Sequence, residues 1–84
     1  MRKLILYTTF FSGILLLTAC SKSSDAFLEK GRTFMAQGNF KEAVRYFNWA
    51  VEKDTKNYSA FNGRGAAYFN LQDYDNALQD FNQA

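Results

Sequence analysis

Past the first twenty residues, apolar and polar positions recur with a helical period. Phe40, Ala43, Val44, Phe47, Ala50 and Val51 fall at i, i+3, i+4, i+7, i+10 and i+11, which is one face of a helix. Tyr74, Ala77, Leu78, Phe81 and Ala84 repeat that face. Phe27, Leu28, Gly31, Phe34 and Met35 make a stripe upstream, and Phe61, Gly65, Tyr68 and Phe69 copy it. The pattern predicts four helices, at about 25–37, 40–53, 58–71 and 74–84. Asn39, with Glu42 three residues on, suits a helix N-cap, and Asp73 suits the equivalent place. Gly38 can take the left-handed conformation that closes the preceding helix.

A shift of 34 residues brings like positions together: Phe27 with Phe61, Gly31 with Gly65, Phe34 with Tyr68, Phe40 with Tyr74, Ala43 with Ala77, Phe47 with Phe81, Ala50 with Ala84. Small residues such as Gly31 and Ala43 let helix backbones approach, and aromatics such as Phe34 and Phe47 fill the remaining space. With these residues in phase, the chain from Ser24 to Ala84 resembles the tetratricopeptide repeat, two antiparallel helices per unit. "AFNGRGAAYFNLQDYDNALQDFNQA" is a close match and "QGNFKEAVRYFNWAVEKD" an equally typical one. The resemblance implies an all-α fold of helical hairpins, one unit over 24–57 and a second, incomplete one over 58–84. It departs from the family pattern at Lys30 and Arg64, where leucine is usual, and at Thr55, where proline is usual. The stems of Lys30 and Arg64 can still cover apolar surface while their charges reach water.

In that family the first helices line a concave groove that holds a peptide or helix. The matching positions are Leu28, Arg32, Met35, Asn62, Ala66, Phe69 and Asn70, a mixture of apolar area and hydrogen-bonding groups that suits an extended peptide. Trp49 and Tyr46 lie beside the stripe of the second helix and read as cover for the core edge rather than partner anchors. Ala84 copies Ala50 and should therefore face a further helix. The expectation is a first unit firmer than the second, in a fragment of a longer protein or with a partner over the open end.

The N-terminus has a different pattern. A basic head, Met1-Arg2-Lys3, precedes the mostly apolar Leu4–Leu17, then the small Thr18-Ala19 and the single cysteine, Cys20. Basic, apolar, then small is the order of a secretory signal peptide, and the apolar run is shorter than the roughly 20 residues that span a bilayer. A plain transmembrane anchor or an ordinary buried cysteine is the alternative. Leu17-Thr18-Ala19-Cys20 also resembles the lipobox of bacterial lipoproteins. This implies a signal peptide over 1–19, lipidation of Cys20 and a short hydrophilic tether over 20–24. Ser21 follows the cysteine where an aspartate would favour inner-membrane retention in enterobacteria, so the resemblance points to the outer membrane, facing the periplasm.

Composition narrows the function. The 84 residues allow one small domain, and the net charge of +2 resides in Arg2 and Lys3: ten basic residues less these two leaves eight, against eight acidic. A neutral body offers no field for nucleic acid. Histidine and proline are absent, and one cysteine by itself forms neither an intramolecular disulfide nor a zinc site. Asp73, Asp75 and Asp80 lack an accompanying base, nucleophile or phosphate loop and read as a solvated helix start. No catalytic, cofactor-binding or metal site and no small-molecule substrate is expected. The sequence thus reads as a non-enzymatic, membrane-anchored scaffold for protein partners in the bacterial cell envelope. The alternative is the substrate-docking part of an envelope enzyme whose chemistry lies beyond Ala84.

Overall fold

A computed structural model of the protein describes residues 22–84. The signal peptide assigned to 1–19 and the lipidation site at Cys20 lie outside the described residues. The described residues form four helices: α1 over 22–36, α2 Phe40–Lys53, α3 Tyr58–Asn70 and α4 Tyr74–Gln83. They are arranged as two hairpins, α1/α2 and α3/α4, with α3 packed against both α2 and α4.

Apolar spacing positions the core. Leu28 of α1, Ala43, Phe47 and Ala50 of α2, and Ala60 and Ala67 of α3 form one buried cluster. Phe27, Phe34, Met35, Phe40, Val44 and Val51 pack around it. Phe47 is the pivot. Its ring lies where a Cβ on Gly31 would stand 2.5 Å away, and where one on Gly63 would stand 2.7 Å away. Two glycines on different hairpins thus let α1 and α3 close on the same ring, a packing no larger residue permits without displacing it.

Both hairpin turns have the same backbone. Gly38 has a φ of 74° and its copy Gln72 a φ of 64°. At each turn the next residue's N–H reaches back across the helix end, Asn39 to the Phe34 carbonyl and Asp73 to the Tyr68 carbonyl, both at 2.9 Å. The turn residues' own N–H groups bond Met35 O and Phe69 O, both at 3.0 Å. This is a Schellman closure, which satisfies carbonyls the helix end would leave free. The expected side-chain caps do not form: neither Asn39 nor Asp73 makes a side-chain cap bond. Asp73 instead accepts from Asn76 Nδ2 at 2.7 Å.

The stretch read as a tether over 20–24 is helical from residue 22, and Ser24 is fully buried. Its hydroxyl donates to the Ala50 carbonyl at 2.8 Å and accepts from Asn57 Nδ2 at the same distance. Asn57 is also the N-cap of α3, its Oδ1 accepting from Ala60 N–H at 3.2 Å. One hydroxyl and one carboxamide therefore join the start of α1, the end of α2 and the start of α3. Burial of these polar groups is tolerated because each has partners.

Candidate functional site

The groove positions of α1 follow i, i+4, i+7 (Leu28, Arg32, Met35), and those of α3 follow i, i+4, i+7, i+8 (Asn62, Ala66, Phe69, Asn70), so each set occupies one strip of its helix. Arg32, Asn62 and Asn70 are exposed, and Met35 and Ala66 half-buried. Asn70 Nδ2 donates to the Ala66 carbonyl at 2.8 Å, one turn back on its own helix. Arg32 pairs with Glu29 at 2.6 Å, a surface pair whose arginine remains available to another acceptor. Leu28 is placed differently: it is 6% exposed and belongs to the core. Phe69 is exposed but turned toward α4, its ring edge-on to Tyr74 with centroids 5.4 Å apart.

Phe69 and Tyr74 border a second feature. Together with Ala77, Leu78 and Phe81 they line an apolar hollow of about 340 Å3. This is the face of the second hairpin that corresponds to the surface of the first hairpin covered by α3.

The positions that depart from the repeat pattern find different partners. Arg64 makes a two-pronged ion pair with Asp80, Nε to Oδ2 at 2.8 Å and Nη2 to Oδ1 at 2.7 Å, and its Nη1 donates to Asn48 Oδ1 at 2.9 Å. The guanidinium also lies over the rings of Phe61 and Tyr68. Hydrogen bonding to Asp80 raises the Arg64 pKa, against an opposing effect of burial and with the carboxylate's charge adding to the rise. A raised arginine pKa keeps the guanidinium side of the pair charged until strongly alkaline conditions.

In the first hairpin the equivalent of Asp80 is Tyr46, and the equivalent of Arg64 is Lys30, whose ammonium lies 5.6 Å from the Tyr46 ring centroid. Tyr46 stacks on Phe34 at 5.2 Å and meets Trp49 edge-on at 5.1 Å, and Phe27 lies 5.5 Å from Trp49. Tyr46 and Trp49 thus cover the core edge. Phe27, Trp49, Glu52 and Lys53 border a hollow of about 480 Å3 beside them. Sequence reading missed the Arg64–Asp80 pair and the Ser24–Asn57 link. The signal for the first was the replacement of an expected leucine by a cation, with an aspartate sixteen residues on.

The tetratricopeptide repeat family profile matches residues 28–84. The chain belongs to the tetratricopeptide repeat family. Its relatives include human tetratricopeptide repeat protein 6, 37% identical over 54 residues, and human tetratricopeptide repeat protein 12, 35% identical over 57 residues. Hsp70-Hsp90 organizing protein 2 of Arabidopsis thaliana is 37% identical over 51 residues. These matches cover 64%, 68% and 61% of this chain but only 10%, 8% and 9% of the respective relatives. The chain therefore corresponds to one short stretch of much longer repeat proteins.

Proposed function

We propose that this tetratricopeptide repeat chain is a scaffold that binds a protein or peptide, held to the bacterial cell envelope by lipid on Cys20. The observation that carries the binding reading is the strip on α3. Asn62 and Asn70 are exposed beside the small Ala66, on a helix whose opposite side is fixed in the core through Ala60 and Ala67. A rigid row of amide side chains with a low, small residue between them accepts an extended backbone at close range. Arg32, one repeat earlier in the position of Ala66, adds a cation for a carboxylate or carbonyl. Repeat proteins such as the Hsp70-Hsp90 organizing protein, whose name states what it organizes, support a role in assembling proteins. The envelope location rests on the lipobox-like Leu17–Cys20.

Two measurements test the two halves of this reading. Photo-crosslinker placed at Asn62 or Arg32 should yield partner adducts, and the same group at the outward-facing Arg45 should not. Adducts at Arg45 alone would remove the groove. Radiolabelled palmitate should enter the protein and not its Cys20→Ser variant, and equal labelling of both would remove the anchor.

A further inference from the structure

The lipid anchor, if Cys20 carries it, is short. Only Ser21 separates Cys20 from residue 22, where α1 is already helical, and Ser24 is fixed by its buried bonds to Ala50 and Asn57. Two Cα steps of about 3.8 Å place the anchoring residue within about 8 Å of the start of α1. The Ser24–Ala50 bond puts the end of α2 beside the start of α1. This end of the first hairpin therefore has no freedom to stand far from the lipid.

The same end carries the hollow of Phe27, Trp49, Glu52 and Lys53. Trp49 is 37% exposed, and it stands four residues before the end of α2, about 6 Å along the axis. The headgroup layer on each side of a bilayer is about 5–8 Å deep. Amphipathic aromatic rings favour that layer, with the apolar body inward and the polar edge in water. Charge at this end is balanced: Lys22, Lys53 and Lys56 stand with Asp25, Glu52 and Asp54, and the Arg45 guanidinium, 5.4 Å from the Trp49 ring centroid, is paired with Glu42.

We propose that the Phe27–Trp49 hollow rests in the headgroup layer of the membrane that holds Cys20, so that the hairpins stand end-on with the Gly38 and Gln72 turns pointing away. This rests on the lipid-anchor reading above. The docking is set by tether length and aromatic burial, and the balanced charge makes it indifferent to lipid charge. It leaves the groove strips of α1 and α3 running away from the membrane, open to a partner.

Trp49 is the only tryptophan, so its emission reports this contact directly. The test uses full-length lipidated protein in phosphatidylcholine vesicles bearing brominated acyl chains near the headgroups. The expected result is a blue shift and about a twofold loss of Trp49 emission, unchanged at high salt or with anionic lipid added. In a Trp49→Phe, Phe69→Trp protein the reporter moves toward the far end, about 12 Å further from the membrane along the helix axes, and its emission should fall by about a tenth or less. Leu71→Trp at the same turn replaces Phe69→Trp should that substitution disturb folding. Protein that floats with the vesicles while Trp49 remains unquenched overturns the docking and leaves the anchor standing. Equal quenching at both ends overturns the end-on orientation. Protein that fails to float overturns the anchor, and the docking with it.

Discussion

Phe47 and Phe81 occupy equivalent places on the second helices of the two hairpins, yet Phe47 is completely buried and Phe81 is 41% exposed. Each meets the glycine of its own first helix, Gly31 or Gly65. Phe47 alone also meets a glycine of the following hairpin, Gly63. The same contrast separates Ala50 from Ala84 and Val44 from Leu78, the second of each pair being exposed. A repeat's burial is thus a property of its neighbour as much as of its own sequence, as nearest-neighbour stabilisation of a solenoid requires. Two further differences are built into the hairpins themselves: an aromatic cluster against an ion pair, and a glycine turn against a glutamine turn.

The largest expected effect breaks the first contrast. Phe47→Ala should cost about 3–5 kcal/mol, enough to unfold a domain this small, whereas Phe81→Ala should cost about 1–2 kcal/mol. Thermal melts followed by circular dichroism compare the two, and equal losses would mean that Phe81 is covered in solution. Next is the exchange of polar devices. Asp80→Ala leaves a mostly buried guanidinium without its carboxylate and should cost about 2–3 kcal/mol, below the full value for a buried pair because the Arg64 side chain is still 20% exposed. Transplanting the first hairpin's pair, as Arg64→Lys with Asp80→Tyr, should restore all but about 1 kcal/mol, with each single change worse than the double.

The glycines give a smaller effect. Gly31→Ala gains about 1 kcal/mol of helix propensity and loses about 1–3 to overpacking against a ring that cannot move, a net loss. Gly65→Ala meets Phe81, which has room to turn, and should stay within about 1 kcal/mol of the parent. Urea midpoints of the two variants separate these cases. The turns give the smallest effect. Gln72→Gly relieves a left-handed glutamine and should raise stability by about 0.5–1 kcal/mol, while Gly38→Gln should lower it by a similar amount. Melting temperatures of the reciprocal variants should move in opposite directions.

The helices and the 34-residue repeat were legible because the apolar stripes and glycines are periodic, and periodicity survives without knowledge of the fold. The turn at Gly38 was legible for a different reason: glycine readily takes the left-handed conformation that closes a helix. Its copy at Gln72 was not, because glutamine carries no local preference for positive φ and is held there by the Schellman closure. Ser24 looked like part of a solvated tether because serine is polar; only the approach of Ala50 and Asn57, 26 and 33 residues away, makes it a core residue. The strips on α1 and α3 were legible as spacing. That Leu28 is taken into the core and Phe69 turns to Tyr74 depends on helix rotation, which composition does not encode. Asn39 and Asp73 had the right chemistry for caps and lacked the geometry, the backbone there being committed to closing the previous helix.

α3 covers the first hairpin in a way that nothing among the described residues covers the second. Native-state hydrogen exchange of the full-length protein, read amide by amide, tests it most directly. Amides around Ala43–Ala50 of α2 should exchange only through global unfolding, while those around Ala77–Phe81 of α4 should exchange faster through local opening. Equal protection of α2 and α4 would contradict it.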